Sequence, residues 1–479
     1  MKVLFITNYR EDIPNGAAIV AYELAQEFSK VHETAILHPG KENRKWIDED
    51  GLTHYTVKSV GISHLNFNKL STDGVDGILH FVEEFSPDVV HSHSYIDIAL
   101  VVFVWAIKTR TPYFLTVHSL PSKLEEWGQL ETTGGFTVPL VKIAVKRYIL
   151  PFYNDCTAII ALNENAAQDL RKAGYKGPIE KVPNGRKLEL FTSQPFTDIT
   201  QELKILTFVG SIEKRKNQAF LAEVITELPL NYHLNLVGDE VDPVYSNRIH
   251  GILDKGEITN YNIPGALPSE EIPKVLGQTH IFVSASTAEL QSLVIMEAMA
   301  SGTPVVGISN QTVDEFIDDS VGKNLPKDSS PEEFAREVQN ICNLDQKNYE
   351  TICQNARQKM SEYDWSNVRQ KTVQMYKKYL ENPPRNPDSI IIKQINSIFS
   401  HLPDIKTTRF LKERINIINE RDNNKAPKNK VGIYKHRKWA LLSLATAFLS
   451  VAIYFLVKIF RSRLIKIFIK DEKRSTKKK

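Results

Sequence analysis

The 479-residue sequence predicts an α/β protein built as two doubly wound halves, each around a parallel sheet. Three observations carry that expectation. Short apolar runs alternate with helical patterns through the first 185 residues, and the alternation restarts after the turn-rich Val182-Pro183-Asn184-Gly185. Between His280 and Ala300 a strand, an exit loop and a helix follow one another in the order of a βαβ unit. Such alternation means a parallel sheet with helices on both faces.

The strands expected of the first half are Val3–Thr7, Thr34–Leu37, Asp88–His91, Tyr113–Val117 and Ala158–Ala161. Those of the second are Ile205–Val209, Leu234–Val237, Asn260–Ile263, His280–Val283 and Pro304–Val306. All are short apolar runs. Residues 349–380 read as helices around Trp365, and from Glu381 to Lys430 the composition turns polar. The expected domains are therefore 1–190, completed by helices at about 355–380, and 191–354, then a polar linker with an amphipathic segment over 381–434 and an anchor over 435–479. Two Rossmann-like domains joined in this way would face a cleft, which suits a reaction that brings two substrates together and keeps water out.

Charge is distributed unevenly. Residues 425–479 hold 16 Lys and Arg against two acids, which leaves 44 against 55 in the rest of the chain. An acidic body argues against a nucleic-acid binder, and a basic tail beside an apolar run argues for an anionic membrane surface. Trp439 to Val457 are 19 residues without a charge. At ~1.5 Å per residue they approach the bilayer core of roughly 30 Å. A transmembrane helix is expected there, with a helix lying in the interface as the alternative, because Lys458–Lys470 mixes basic and apolar residues at near-helical spacing. Lys435, Arg437 and Lys438 before the run and Lys458, Arg461 and Arg463 after it leave its orientation open. Lys2–Thr7 is too short for a signal peptide. Cys156, Cys342 and Cys353 are too few and too irregular for a disulfide framework or a metal cluster, so the body is expected in a reducing cytoplasm, tethered at the cell membrane.

The chemistry concentrates at strand ends. Glu289 and Glu297 stand eight residues apart, the first in the loop after His280–Val283 and the second about two turns into a helix beginning at Leu293. Amides near Ser292 and Leu293, with the positive end of the helix dipole, suit a diphosphate. The acids then suit sugar and ribose hydroxyls, although solvated acids flanking a helix would give the same spacing. In Phe208–Asn217 a strand opens a helix with the cations Lys214, Arg215 and Lys216, an arrangement that a bound anion relieves and that a solvated basic turn also explains. Gly238 and Gly265 close the next two strands, at an edge where backbone groups can hold a nucleobase. Gly16 follows the first strand, before a helix expected near Ile19, and reads either as a close approach to a ligand or as ordinary turn chemistry. His118 ends Tyr113–Val117, where it can donate to a sugar hydroxyl or serve as an ordinary loop histidine. His91 and His93 lack the further ligands a metal site needs, so no metal is expected.

Together, Gly16-Ala17, Pro87–His93, Thr116-Val117-His118, Val182–Gly185, Gly210–Lys216, Val237-Gly238-Asp239 and Glu289–Gly302 resemble the retaining GT-B glycosyltransferases of the group 1 and family 4 type. The resemblance covers roughly residues 1–380. Glu289-Leu290-Gln291-Ser292-Leu293 is most similar to the Glu-Thr-Gln-Gly-Leu segment of bacterial diacylglycerol glucosyltransferases. It implies that Glu289 contacts the donor sugar near the reacting carbon and that Glu297 holds the ribose. Lys216, helped by Arg215, would neutralise the leaving diphosphate, where the largest charge develops. His118 would bind the sugar and Gly16 would let the first loop close over it. No cofactor or metal is implied, and the substrate would be a UDP-sugar, with UDP-glucose foremost.

The chain departs from the family in carrying Ser211 for Arg, Ala17 for Gly and Ser292 for Gly. Ser211 removes a phosphate cation, and the other two add bulk where backbone approaches the ligand. The anchor suits a lipid acceptor, diacylglycerol above all, and the basic apolar stretch Val138–Leu150 reads either as an ordinary half-buried helix with a solvated cationic side or as a helix resting on anionic lipid. Polyprenyl-diphosphate-linked oligosaccharide is the alternative acceptor. A catalytically weak membrane-tethered partner of another transferase and a sugar-nucleotide epimerase are the alternatives of other classes.

Overall fold

The computed structural model describes residues 1–10, 15–62, 67–70, 72–120 and 149–381. The expected anchor, the linker and nearly all of Val138–Leu150 lie outside these residues. Among the described residues no helix is long and apolar enough to cross a membrane. The described chain divides into two compact units, one comprising Met1–Leu115 with Pro151–Thr157, the other Thr116–Leu150 with Ala158–Glu381.

In the first unit the strands β1 (Lys2–Ile6), β2 (Glu33–Gly40), β3 (Arg44–Ile47), β4 (Thr53–Ile62), β5 (Phe67–Leu70), β6 (Val89–Ser92) and β7 (Tyr113–Thr116) run in the order β3-β4-β2-β1-β6-β7, with β5 on β4. The helices are α1 (Gly16–Ser29), α2 (Thr72–Phe85), α3 (Ile98–Thr109) and the short α4 (Leu150–Asp155). Val3, Leu4, Phe5 and Ile6 are fully buried, as a central strand covered on both faces requires. The alternation predicts a parallel sheet, but the sheet is mixed: β3 and β5 both run antiparallel to β4. These edge strands were missed because β3 reads Arg-Lys-Trp-Ile and is largely exposed, with no apolar run to mark it. Helix α1 starts at Gly16, three residues before the expected Ile19, because the Asn15 side chain caps it by accepting from Ala17 N at 3.0 Å.

The second unit opens with the parallel pair β8 (Ala158–Ala161) and β9 (Ile179–Lys181), with α5 (Glu164–Lys172) between them. After α6 (Glu189–Thr192) come β10 (Lys204–Val209), α7 (Gln218–Thr226), β11 (Tyr232–Val237), α8 (Pro243–Lys255), β12 (Tyr261–Gly265), α9 (Ile272–Gly277), β13 (Ile281–Ser284), α10 (Leu293–Ala300), β14 (Val305–Ile308), α11 (Gln311–Phe316) and β15 (Gly322–Leu325). Helices α12 (Pro331–Cys342), α13 (Gln346–Met360) and α14 (Trp365–Glu381) follow. The strands order as β12-β11-β10-β13-β14-β15, all parallel. Strand alternation divides the core between two faces. Leu206, Phe208, Leu234, Leu236 and Ile281 pack with Leu221, Ile249 and Phe334 of α7, α8 and α12 on one face. Val209, Val237, Phe282 and Val305 pack with Ile295, Met296 and Met299 of α10 on the other. The order reverses beside β10, where β11 and β13 diverge to opposite sides, and doubly wound sheets bind ligands at the carboxyl edge of such a point.

Candidate active site

The loops after β10, β11 and β12 are laced together at that edge. Gly210 N donates to Val237 O at 2.8 Å, Gly238 N to Gly265 O at 2.9 Å, and Ile212 N to Asp239 O at 2.8 Å. A Cβ on Gly238 would lie 2.1 Å from Gly210 O, so only glycine permits this approach. Gly238 and Gly265 therefore share one edge as expected, but the Gly238 amide is spent on Gly265 and not held out for a nucleobase.

The cations do not open a helix. Lys214–Lys216 form a separate 3-10 turn, Asn217 follows in the left-handed conformation, and α7 begins only at Gln218. The turn faces the loop after β13, where Thr287 N donates to Arg215 O at 3.0 Å. It is here that Glu289 is found. Its Oε1 accepts from Lys216 Nζ and lies 3.5 Å from Arg215 Nη1. Burial raises the Glu289 pKa, but Lys216 and Arg215 outweigh it and hold the carboxyl below its ordinary value. The cations expected to wait for an anion already have one from the chain itself. Arg215 also donates to Glu213 Oε1 at 2.7 Å and to Ala288 O at 3.1 Å. Ser211 turns its hydroxyl to the same Glu213 oxygen at 3.1 Å.

Ser292 precedes α10 in an extended conformation and Leu293 opens the helix. The Ser292 amide, expected to serve a diphosphate, instead donates to Thr312 Oγ1 at 2.9 Å. Glu297 is no solvated flank: its side chain is 6 % exposed and pairs with Arg186 Nε at 2.6 Å. Sequence reasoning missed Arg186. It directly follows Val182–Gly185, and only the fold, which bridges Arg186 to Asp364 and sets the Gly185 backbone against the Trp365 ring, aims it at α10. Asn163 and Glu315, which also hold the Glu289 loop, were missed for the same reason.

His118, two residues beyond β7, is half-buried, and burial lowers its pKa to about 4, so the imidazole is neutral at pH 7. Gly16 begins α1 and is exposed in the first unit. The structure thus joins Glu289, Lys216 and Arg215, sets Leu293 and Glu297 on one helix with Ser292 just before it, and laces Gly238 to Gly265. His91 and His93 stack on each other at 4.6 Å within the first unit. Among the described residues no cluster of three or more His, Cys, Asp or Glu is placed to hold a metal.

Comparison with known families decides the class. Residues 14–190 match the Glycosyltransferase Family 4 model and residues 192–359 the model for Glycosyl transferases group 1. The chain is a glycosyltransferase of the group 1 and family 4 type. An uncharacterized glycosyltransferase of Methanocaldococcus jannaschii is 25 % identical to it over 80 % of this chain and 99 % of its own length. An alpha-monoglucosyldiacylglycerol synthase of Acholeplasma laidlawii is 23 % identical over half of this glycosyltransferase, and only 62 % of the synthase is covered. Among solved structures, sucrose-phosphate synthase from Thermosynechococcus elongatus superposes with a TM-score of 0.65 at 16 % identity, over 79 % of this chain and 99 % of that one. The Anabaena protein HepE in complex with UDP and glucose gives a TM-score of 0.61 at 18 % identity, over 79 % of this chain and all of that one. At these identities the structural likeness speaks for the fold alone, a GT-B-like α/β fold with two Rossmann-like domains and parallel sheets.

Proposed function

We propose that this glycosyltransferase is a retaining hexosyltransferase that moves a sugar from a UDP-sugar to a membrane lipid, with diacylglycerol as acceptor. The observation that carries the reading is Glu289 held between Lys216 and Arg215 at the carboxyl edge beside β10. An ionised acid among cations matches a donor whose sugar offers hydroxyls and whose diphosphate takes up negative charge as the glycosidic bond breaks. Lys216, with Arg215, neutralises that diphosphate, which competes with Glu289 for the ammonium. Glu289 orients the sugar hydroxyls. Glu297 accepts from the ribose while Arg186 holds it. His118, neutral at pH 7, donates to the sugar, and Gly16 permits the first loop to close. A UDP-sugar donor is supported by the HepE complex, and a lipid acceptor by the glucosyldiacylglycerol synthase relative and by the basic, apolar C-terminal sequence. On this reading residues 439–457 hold the enzyme at the cell membrane, with residues 1–380 in the cytoplasm.

The test uses full-length, detergent-solubilised protein with radiolabelled UDP-glucose and a bacterial lipid extract. Label reaching the organic phase with the wild type and not with Glu289→Ala supports lipid glucosylation. Label that enters only when polyprenyl-linked oligosaccharide is supplied replaces the acceptor. UDP-glucose that neither binds nor reacts removes the donor assignment.

A further inference from the structure

Asn163, Gln291 and Glu315 form a knot in the second unit behind the loop that carries Glu289. Asn163 follows β8 and caps α5, its Oδ1 accepting from Ala166 N at 2.8 Å. That bond turns its Nδ2 the other way, to donate to Glu315 Oε2 at 2.8 Å and to Leu290 O at 2.8 Å. Gln291 is oriented likewise: Oε1 accepts from Asn184 N at 2.6 Å, so Nε2 donates to Glu315 Oε1 at 3.1 Å. Neither amide can turn round without giving up the bond that its own oxygen makes. Two donor groups therefore converge on one side chain. A carboxylate, which only accepts and does so through two oxygens, satisfies both. A protonated carboxyl or a glutamine amide offers one good acceptor and sets a donor against a donor.

We propose that Glu315 is a positioning residue whose carboxylate, through Asn163 and Gln291, holds the Glu289-Leu290-Gln291 segment in place for sugar transfer and releases it on protonation. The proposal rests on the transferase reading above. Burial pushes the Glu315 carboxyl up to about 7, against the two amide bonds, which lower it. Tyr363 has its phenol pushed up to about 12 by burial and by Glu315 itself. Asp314, next to it on α11, is bonded to Asn324 at 3.0 Å, and Asp169 of α5 accepts from Gln311 at 2.9 Å. Glu289, across Gln291, is tied to Lys216 and Arg215. Among the described residues no cation lowers the Glu315 pKa. Because folding raises this carboxyl above its ordinary value of 4.5, its ionisation costs stability, which falls as pH rises from 4.5 to about 7 and is level above that. A group that destabilises the fold when charged, yet is needed charged, is distinguishable from scaffolding.

The full-length wild type, Glu315→Gln and Glu315→Asp are compared at pH 6 and pH 8.5 by hydrogen exchange over residues 287–293, corrected for intrinsic rate, together with kcat, KM and Tm. At pH 8.5, Glu315→Gln should behave as the wild type does at pH 6. Exchange over 287–293 should be several-fold faster, and kcat about tenfold lower with KM for the UDP-sugar changed less than about threefold, the mark of misplaced chemistry. Tm should be no lower than that of the wild type. The wild-type kcat should rise through about pH 7 while that of Glu315→Gln stays flat, and Glu315→Asp should restore the rise in part. Wild-type exchange and a wild-type pH profile in Glu315→Gln would overturn the proposal, as would a Tm loss with kcat and KM impaired together at every pH. The exchange measurement needs no substrate. A protein that moves no sugar from the UDP-sugar to lipid, yet whose 287–293 exchange still answers to Glu315 and to pH, would therefore overturn the lipid hexosyltransferase reading and leave the positioning role standing.

Discussion

The loop Thr287–Ser292 and the helix α10 that follows it each carry one acid, and each acid meets cations in a different way. In the loop, one oxygen of Glu289 is shared between Lys216 and Arg215, both from the turn after β10. In the helix, Glu297 has Arg186, with side chains 6 % and 11 % exposed. The loop acid sits in a set of charges that can be rearranged, because Arg215 also holds Glu213 and a diphosphate can take either cation. The helix acid sits in a nearly buried pair, whose disruption strands a charge away from water. One sequence motif thus holds one acid shared between two cations and one acid in a nearly buried ion pair.

The substitution expected to act most strongly is Glu289→Gln, which should lower kcat for transfer by about a thousandfold, the upper range for one group facing developing charge. UDP binding, measured calorimetrically, should hold or tighten as Lys216 is released. An equal loss of kcat in Glu297→Gln with no change in stability would erase the distinction between loop and helix. Next in size, Arg186→Met should cost about 3 kcal/mol in urea unfolding by stranding Glu297, and the pair Arg186→Met with Glu297→Met should recover most of it. Lys216→Ala should lower kcat about tenfold, or ~1.4 kcal/mol. Lys216 holds Glu289 below its ordinary pKa, so its loss should move the acid limb of the pH–rate profile to higher pH. The smallest effect concerns His118. Burial holds its pKa at about 4 against an ordinary 6.5. The unfolded chain therefore gains a proton first as pH falls, and stability is lost across the window from 6.5 down to 4. His118→Asn should make that part of the Tm-versus-pH curve less steep, with His280, likewise held at about 4, supplying the rest of the slope, and should leave Tm at pH 8 nearly unchanged.

Much of the fold was legible because buried parallel strands are continuous apolar runs. Ala158–Ala161 and the helix Leu293–Ala300 lie where the sequence placed them, and the other expected strands differ by a few residues at their ends, whereas β4, an interior strand between β3 and β2, was not expected at all. What was not legible lacks that signal. The largely exposed β3 and the three-residue β9 carry no apolar run, and Gly322–Leu325 reads Gly-Lys-Asn-Leu. The 3-10 turn at Lys214–Lys216 read as a helix start because three cations after a strand give no hint that Asn217 turns left-handed before the helix begins. At the site, Glu289, Lys216 and Arg215 could be singled out one by one. That the cations serve Glu289, and that the Ser292 amide serves Thr312, could not.

By itself the sequence determined the two runs of alternating strands and helices, the glycine after β11, and the acids eight residues apart, because each follows from local period or from a conformation only one residue type adopts. The tertiary structure alone decided the partners. Lys216 stands 73 residues from Glu289, Arg186 stands 111 from Glu297, and Asn163 stands 152 from Glu315. No local pattern links residues so far apart in the chain. Whether a charged side chain becomes half of an ion pair, a ligand for substrate or a solvated surface group depends on which buried strand ends the sheet order brings together.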